Sequence, residues 1–247
     1  MERSDHVMDI KVFVHATDIT GEIGITLEQI ELIRQTGLLD IAQEVQICTH
    51  YDEENFNELK SRLSYYNNVT YKHFGDEYRE WYEYTTCLEL QKECNKPYKD
   101  FYALYIHNKG SFTRTIGNYN WRKYMEYFCI EKWKECVEKL DEGYELVGAA
   151  YSDNTKPFND EETHYFAGNF FWTKNSYIKR CKQLQPPPDV LFEPQMKNQP
   201  HLRYDLEVWQ STGKPNWFEM HTGSHNRWYL PPEDYRDDLN DVWRYTT

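Results

Sequence analysis

The chain alternates between short apolar runs and longer segments in which apolar residues recur every three or four positions. The short runs are typical of buried strands, and the periodic segments are typical of helices with one apolar face. Over the first 110 residues this alternation predicts βαβ units and a mainly parallel sheet with helices on both faces. Predicted strands cover residues 10–14, 44–50, 68–75 and 101–106, and predicted helices cover 26–40, 53–66 and 78–94.

The first predicted helix carries recognisable end signals. Thr26 and Gln29 have the spacing of a capping box, in which each side chain satisfies a backbone N–H at the helix start. Gly37 is the expected stop, because glycine tolerates the left-handed conformation that ends many helices.

The second half of the chain continues the pattern and then loses it. Predicted elements are a long helix over 118–143, strands over 144–151 and 164–172, and helices beginning at about 173 and covering 201–209. Residues 185–189, QPPPD, separate the body from a tail, because proline lacks an amide donor and restricts the residue before it. Residues 216–238 hold too much Gly, Pro and His for regular structure. The length of 247 residues suits a single α/β domain with an irregular C-terminal tail.

Composition narrows the class of partner. The formal net charge of -13 repels phosphate backbones, so nucleic acid is not an expected partner. No window reaches the roughly 18 apolar residues that a membrane span requires, and the start has no apolar signal-peptide region, so a cytoplasmic protein without a membrane span is expected. The six cysteines form no Cys-x-x-Cys pair, which favours buried free thiols over a disulfide framework or a metal site.

Polar residues follow the fourth predicted strand where that strand ends. His107, Asn108, Lys109 and Gly110 come directly after the apolar run of residues 101–106. In open α/β sheets the carboxyl ends of strands are where ligands bind. The stretch therefore predicts a ligand site, against the plain alternative of an exposed strand end with a turn glycine.

Four stretches together resemble a known family. They are LYIHNKG (104–110), the Trp121–Arg122 pair, FAGNFFWTKNSYI (166–178) and DLEVW (205–209). In this order they are similar to the boxes of small GT-A-type glycosyltransferases of large DNA viruses and bacteria, and the resemblance covers roughly residues 10–230. It implies a GT-A-like, Rossmann-related fold with a nucleotide-binding half over about 9–115 and an acceptor half over about 116–230.

The resemblance implies a transferase that takes a sugar from a UDP-, GDP- or TDP-sugar and passes it to a glycan or another hydroxyl acceptor. It places His15, Thr17 and Asp18, at the end of the first strand, at the donor, where Asp18 accepts from the ribose or the base. Many GT-A enzymes hold a divalent ion with an Asp-x-Asp pair, and this sequence contains none. We expect Lys109, His107 and the backbone at Gly110 to neutralise the diphosphate in its place, with a bound Mn²⁺ or Mg²⁺ as the alternative.

A late loop adds further donor candidates. His221, His225 and Arg227 lie in a Gly- and Ser-rich stretch that suits contacts with a diphosphate. The two histidines also have the spacing of helical metal ligands, although Gly223 argues against a helix, and they can equally be surface residues. Arg122 can bind a phosphate or anchor a buried carboxylate.

Catalysis of an inverting transfer needs a carboxylate that removes the acceptor proton. Glu207 is the first candidate because it matches the acidic position of the family, and Asp205 and Asp153 are the others. The alternative is that these are solvated acids in a chain with 41 acidic residues.

The sugar cleft is expected at the box around Gly168 and Asn169. Glycine inside a strand marks the close approach of another group, and the Asn169 amide can bind sugar hydroxyls. Trp172 is expected to offer its face to a pyranose ring, whereas Phe170 is expected in the core.

Three functions compete at this point. The first is the glycosyltransferase, and the second is a degenerate GT-A domain that binds a sugar or a partner without catalysis. The third is a metal-dependent hydrolase that uses the His and Asp content.

Overall fold

A computed structural model describes residues 8–17, 23–75, 83–97, 99–111, 114–152, 164–184, 206–221 and 230–236. No helix in these ranges is long and apolar enough to cross a membrane.

The first half follows the predicted alternation. Its elements are β1 (Asp9–Ala16), α1 (Gly24–Gln35), α2 (Leu38–Ile41), β2 (Glu44–Thr49), α3 (Glu53–Arg62), β3 (Val69–His73), α4 (Tyr84–Cys94) and β4 (Phe101–His107). The four strands pair in parallel in the order β3-β2-β1-β4. This confirms the prediction of a mainly parallel sheet built from βαβ units.

The second half adds shorter elements. They are α5 (Ile116–Glu126), a π-helical turn (Tyr127–Glu131), α6 (Trp133–Asp141), β5 (Leu146–Gly148), β6 (Tyr151–Ser152), β7 (Tyr165–Phe166), β8 (Phe171–Lys174), α7 (Asn175–Ile178), β9 (Trp217–Glu219) and a 3₁₀ turn (Pro232–Asp234). Residues 206–209 are also helical.

One central sheet combines strands from both halves. Within the described residues it has seven strands in the order β3-β2-β1-β4-β8-β5-β9. β8 runs antiparallel to β4 and to β5, while β9 is parallel to β5. β6 and β7 form a separate two-stranded ribbon.

Alternate residues of the central strands bury two apolar clusters, one on each face of the sheet. On one face, Val12 and Val14 of β1 pack in a cluster with apolar residues of α1, α3, α5 and α6. On the other face, Phe13 of β1 and Tyr105 of β4 pack with residues of α4, α7 and the helical turn at 206–209. This two-sided burial explains why the sequence of β4 is apolar at nearly every position.

The start of α1 differs from the sequence prediction. The helix begins at Gly24 and its N-cap, Ile23, makes no side-chain cap. Thr26 lies inside the helix, where its hydroxyl hydrogen-bonds with the Tyr51 hydroxyl at 2.9 Å. The capping-box prediction is therefore wrong, because a tertiary contact takes the hydroxyl that the motif requires. Gly37 lies where a stop was expected, with φ of 74°, and separates α1 from α2.

Predicted elements of the second half are also broken up. The long helix contains the π-helical turn, and the predicted strands over 144–151 and 164–172 divide into β5 with β6 and β7 with β8. The helix expected from about 173 is the single turn α7, and the described part of the helix expected over 201–209 is residues 206–209. The tail is less irregular than predicted, because Trp217–Glu219 forms a strand that pairs with β5.

Candidate functional site

The carboxyl ends of β1 and β4 lie side by side, with His15 opposite His107 in the parallel register. From β1 the chain continues outwards to β2 and β3 on one side, while β4 and the later strands lie on the other side. This reversal is a topological switch point, the place in an open α/β sheet where a crevice for a ligand forms. Sequence reasoning expected a site at these strand ends, and the structure brings its residues together there.

Asn108 ties the two strand ends to each other. Its side-chain oxygen accepts from the Thr17 backbone N–H at 3.2 Å, and its amide donates to the Thr17 carbonyl at 2.6 Å. Asn108 also contacts the Tyr51 hydroxyl at 3.4 Å. The side chain expected to bind the donor thus serves here to fix the geometry of the crevice.

A cavity of about 470 Å³ opens beside the end of β4. Its lining residues are Gly24, Ile25, Glu28, Lys109, Gly110, Arg114, Thr115, Ile116, Tyr119 and Arg122. They include the first residues of α1 and α5, so two helix N-termini border the cavity. Neither helix has an acidic residue in its first turn. Helix N-termini carry unpaired N–H groups and partial positive charge, which favours an anion.

Lys109 is a buried lysine in the lining of this cavity. Its ammonium lies over the Trp121 ring, 3.5 Å from the ring centre, in a cation–π contact. Gly110 follows with φ of 92°, a left-handed conformation that glycine adopts without strain. The turn at Lys109 and Gly110 therefore carries the chain towards α5 while holding the ammonium near the cavity.

Arg122 is buried beside the same cavity and contacts two carboxylates. Its Nη1 lies 2.7 Å from Glu28 and 3.3 Å from Glu126. Lys123 hydrogen-bonds with Glu28 and lies 2.9 Å from Glu126. Burial raises the pKa of Glu28, but hydrogen bonds and charge from Lys123 and Arg122 outweigh it and lower that pKa. Of the two roles expected for Arg122, the structure shows the carboxylate anchor.

A second set of polar groups lies on the α4 side of the sheet, around Glu83. His107 Nδ1 donates to Glu83 at 2.6 Å, Asn169 donates its amide to Glu83 at 2.6 Å, and the Tyr105 hydroxyl donates at 3.2 Å. Glu83 is only 7% exposed. Sequence reasoning missed Glu83, since it stands in an aromatic run at the N-cap of α4 and no motif marks it.

The surroundings lower the pKa values of Glu83 and His15 for different reasons. Burial raises the pKa of Glu83, but the charge and hydrogen bond of His107, with help from His15 and Asn169, hold that pKa far below its ordinary value. For His15, burial acts in the direction of the shift: burial and the charge of the nearby His50 lower the pKa of His15 well below 6.5. Glu83 is thus ionised and His15 neutral near pH 7.

The threonines at the start of α4 hold two of the histidines. His15 Nδ1 hydrogen-bonds with the Thr86 hydroxyl at 2.9 Å, and His50 Nε2 hydrogen-bonds with the Thr85 hydroxyl at 2.7 Å. The His15 and His50 rings lie 5.6 Å apart. The ends of β1 and β2 are thereby joined to the first turn of α4.

The loop between β7 and β8 connects the two sides of the site. Gly168 and Asn169 have φ of 85° and 59°. A Cβ at Gly168 would lie 3.0 Å from Trp121 Nε1, so this backbone passes directly over the residue that holds Lys109. Asn169 reaches Glu83 on the other side. Close approach at Gly168 was expected from the sequence, and here the approaching groups belong to α5.

Glu207 lies under the same loop. Its carboxylate accepts from the Gly168 N–H at 3.4 Å. Gln210, one helical turn later, donates to Asn169 Oδ1 at 2.9 Å. The predicted acidic residue is therefore buried next to the predicted sugar-binding box.

Two expected contacts are placed differently. Trp172 is fully buried and donates its indole N–H to the Cys129 carbonyl at 2.7 Å, so it cannot offer a face to a sugar and that prediction is wrong. Phe170 is in the core, as expected. His221 hydrogen-bonds with the Tyr124 hydroxyl at 2.9 Å, and its ring stacks on Phe128. It therefore packs against the end of α5 and the π-helical turn.

Five predicted site residues lie outside the described residues: Asp18, Asp153, Asp205, His225 and Arg227. In the ranges that the structure does describe, no three His, Cys, Asp or Glu side chains are grouped so that they could hold a metal ion.

A larger cavity, of about 1060 Å³, lies between the first residues of β1 and the later turns of α4. Lysines on its wall are paired with carboxylates, as with Lys11, which lies 2.5 Å from Glu93 and 3.6 Å from Glu44. It is lined by the starts of the strands rather than by their carboxyl ends. We therefore assign the candidate site to the cavity at Lys109.

Comparisons with known proteins complete the description. No curated protein matches the chain. A solved structure similar to it is 4-diphosphocytidyl-2C-methyl-D-erythritol synthase from Anaerococcus prevotii DSM 20548, with a TM-score of 0.37 and 12% identity, covering 77% of this chain and 84% of that one. Residues 10–236 match a family model, and the chain belongs to that family, which is described as a domain of unknown function (DUF8361).

Proposed function

We propose that the protein is a glycosyltransferase that uses a nucleoside diphosphate sugar as donor. The observation that carries the proposal is the cavity at the switch point of the sheet, where Lys109, Arg114 and Arg122 meet two helix N-termini. Such a crevice favours a ligand with concentrated negative charge, and a diphosphate fits that description.

Sugar transfer from a nucleoside diphosphate requires positive charge or N–H donors beside the diphosphate. When the bond between the sugar and the diphosphate breaks, negative charge develops on the leaving oxygen and must be stabilised by fixed donors or by a metal. Lys109 provides a cation that Trp121 holds in place, and Gly110 allows backbone N–H groups to approach the phosphate oxygens. Glu28 and Glu126 offset the charges of Arg122 and Lys123. Lys109 and Arg114 add two further cations to the lining of the cavity.

The acceptor side of the proposal uses the loop at Gly168 and Asn169 with Glu207 beneath it. The Glu207 carboxylate lies against this loop and is a candidate for the base that removes the acceptor hydroxyl proton. The glycan or other hydroxyl acceptor would then bind over the loop, next to the donor held at Lys109.

One observation favours a second candidate function. The sequence has no Asp-x-Asp pair, and a domain that keeps the anion site without that pair can bind a nucleotide sugar or a partner without catalysis. The two functions differ in turnover, not in donor binding.

Calorimetric titration with UDP-, GDP- and TDP-sugars tests the proposal. We expect one donor to bind, and Lys109→Ala to weaken that binding by roughly 10- to 100-fold, because a buried charge-assisted contact is lost. Lys60→Ala is the matched control, since Lys60 also lies over an aromatic ring, that of Phe56, and does not line the cavity. Unchanged affinity in Lys109→Ala, or no donor binding at all, would contradict the diphosphate assignment.

Donor hydrolysis and transfer are then measured with Mn²⁺ and with a chelator. Turnover in either condition that Lys109→Ala weakens supports the transferase, and binding without turnover in both conditions supports the binding domain. Activity that a chelator abolishes while Lys109→Ala leaves it intact supports the metal-dependent hydrolase instead.

A further inference from the structure

The cavity at Lys109 has an apolar side as well as a cationic one. Ile25, Ile116 and Tyr119 belong to its lining, and Ile116 and Tyr119 are 75% and 47% exposed. Exposed apolar side chains gathered in one concave surface are typical of a ligand site. A nucleoside diphosphate carries a flat apolar base as well as its charged diphosphate, so one such ligand matches both sides of the cavity.

The Tyr119 ring offers a stacking surface at the mouth of this cavity. The Arg122 guanidinium and the Lys123 ammonium lie 5.6 Å and 5.7 Å from the ring centre, in cation–π contacts that help to hold the ring. Aromatic side chains stack on any nucleobase, because every base has a π face. Tyr119 therefore suits a base without selecting which one.

The Glu28 carboxylate is fixed by the same two cations and also lines the cavity. Arg122 donates to its Oε2 at 2.7 Å, and Lys123 donates to its Oε1. An ionised carboxylate has about four lone-pair positions, two on each oxygen. Within the described residues these two bonds occupy one position on each oxygen, and the side chain is 43% exposed. Glu28 thus presents two adjacent acceptors to a ligand in the cavity.

Two adjacent acceptors distinguish the nucleobases from one another. Guanine has two neighbouring donors on one edge, the N1–H and the N2 amino group. Uracil and thymine have a single N3–H between two carbonyl oxygens, and adenine and cytosine place a donor next to an acceptor. In each of these four bases an acceptor would face the negative carboxylate, which costs binding free energy. The pair of acceptors at Glu28 therefore favours guanine.

We propose that the donor is a GDP-sugar, whose guanine stacks on Tyr119 and donates its N1–H and N2–H to Glu28, while its diphosphate binds near Lys109 in the same cavity. This inference rests on the proposed function and narrows its donor to one nucleotide. Arg122 and Lys123 are then positioning residues, because they hold the carboxylate that reads the base.

Calorimetric titration with nucleoside diphosphates that carry no sugar tests the role of Glu28. We expect wild type to bind GDP most tightly, and to bind IDP, whose base lacks the amino group, roughly 10-fold more weakly. UDP and TDP should bind more weakly still. Glu28→Gln should weaken GDP binding roughly 10- to 100-fold and remove the preference for GDP over IDP, because an amide offers one acceptor oxygen instead of two. Glu31→Gln is the matched control, since Glu31 also lies on α1 and pairs with an arginine, Arg34, but does not line the cavity.

The same titrations test the stacking role of Tyr119. Tyr119→Ala should weaken the binding of all four nucleotides by roughly 10-fold and leave the binding of inorganic pyrophosphate unchanged, because the ring contacts the base and not the phosphates. Tyr119→Phe keeps the ring and should bind the nucleotides as wild type does.

The outcomes separate this inference from the proposed function. Wild-type affinity for UDP or TDP that equals the affinity for GDP overturns the guanine assignment even if Glu28→Gln fails to fold, and sugar transfer from a UDP- or TDP-sugar would then leave the transferase in place. An equal loss for all four nucleotides in Glu28→Gln overturns the assignment as well, because the carboxylate would then bind the ribose. The expected ranking without transfer from any GDP-sugar overturns only the transferase and leaves a guanine nucleotide site.

Discussion

His15 makes the stability of the fold depend on pH through a single buried side chain. Burial and the neighbouring His50 lower its pKa well below the ordinary value of 6.5, with Glu83 opposing and His107 adding to the effect. As the pH falls below about 6.5, the unfolded chain takes up a proton at this residue and the folded chain does not. The free energy of unfolding should therefore fall with pH from about 6.5 downwards, by up to roughly 1.4 kcal/mol per pH unit from this residue.

Urea unfolding of wild type and His15→Asn between pH 5 and pH 8 measures this dependence. Asparagine can keep a hydrogen bond to Thr86 but does not titrate, so the two stability curves should run parallel above pH 7 and converge or cross below pH 6.5. Curves that stay parallel down to pH 5 would show that His15 takes up its proton as easily in the folded chain as in the unfolded one.

For single residues, the sequence predicts those that follow a strand directly. It misses those that reach the site only because a helix packs against the sheet. His15, His107 and Lys109 follow apolar runs directly, so their place at the edge of the sheet could be predicted. Glu83 reaches His107 only because α4 packs against the sheet at β1. Trp172 was misjudged because it packs against the π-helical turn Tyr127–Glu131, a tertiary contact that spacing does not reveal.

Among the elements, the parallel half of the sheet was predictable and the antiparallel part was not. β1 to β4 are short segments rich in β-branched and aromatic residues, and a periodic helix separates each from the next. Right-handed crossovers then leave few arrangements of these strands. The direction of β8 is decided by the turn at Gly168 and Asn169, which interrupts what looks like one strand. β9 has three residues, too few for a pattern, and it is a strand because β5 offers it an edge.

Replacing Gly168 by alanine should disturb both the fold and the site. The φ of 85° disfavours a side chain, and the new Cβ would lie 2.6 Å from Met125 Sδ and 3.0 Å from Trp121 Nε1. We expect Gly168→Ala to lower the free energy of unfolding by about 2–4 kcal/mol, from backbone strain and overpacking together. Gly37→Ala is the matched control, because Gly37 has a φ of 74° with open space around it and should cost only about 1 kcal/mol. Chemical denaturation of both variants measures the difference, and equal losses would mean that the loop moves away from α5 without cost.

The central sheet is buried on both faces, and buried cysteines lie on each of them. All six are free and buried. Cys87, Cys94 and Cys181 pack in the cluster on the α4 face, and Cys129 and Cys136 pack in the cluster on the other face. A thiol reagent therefore probes both sides of the sheet in one experiment.

Burial should protect these thiols from reaction until the chain unfolds. It raises the pKa of Cys48 and of Cys129 to about 12, and raises the pKa of the other four as well. Since the thiolate is the reactive form, we expect the folded chain at pH 8 to react with Ellman's reagent at least about 100-fold more slowly than the chain in guanidinium, where six thiols should react. One or two thiols that react quickly in the folded chain would identify a face of the sheet that opens locally, and fast reaction of all six would contradict a core closed on both faces.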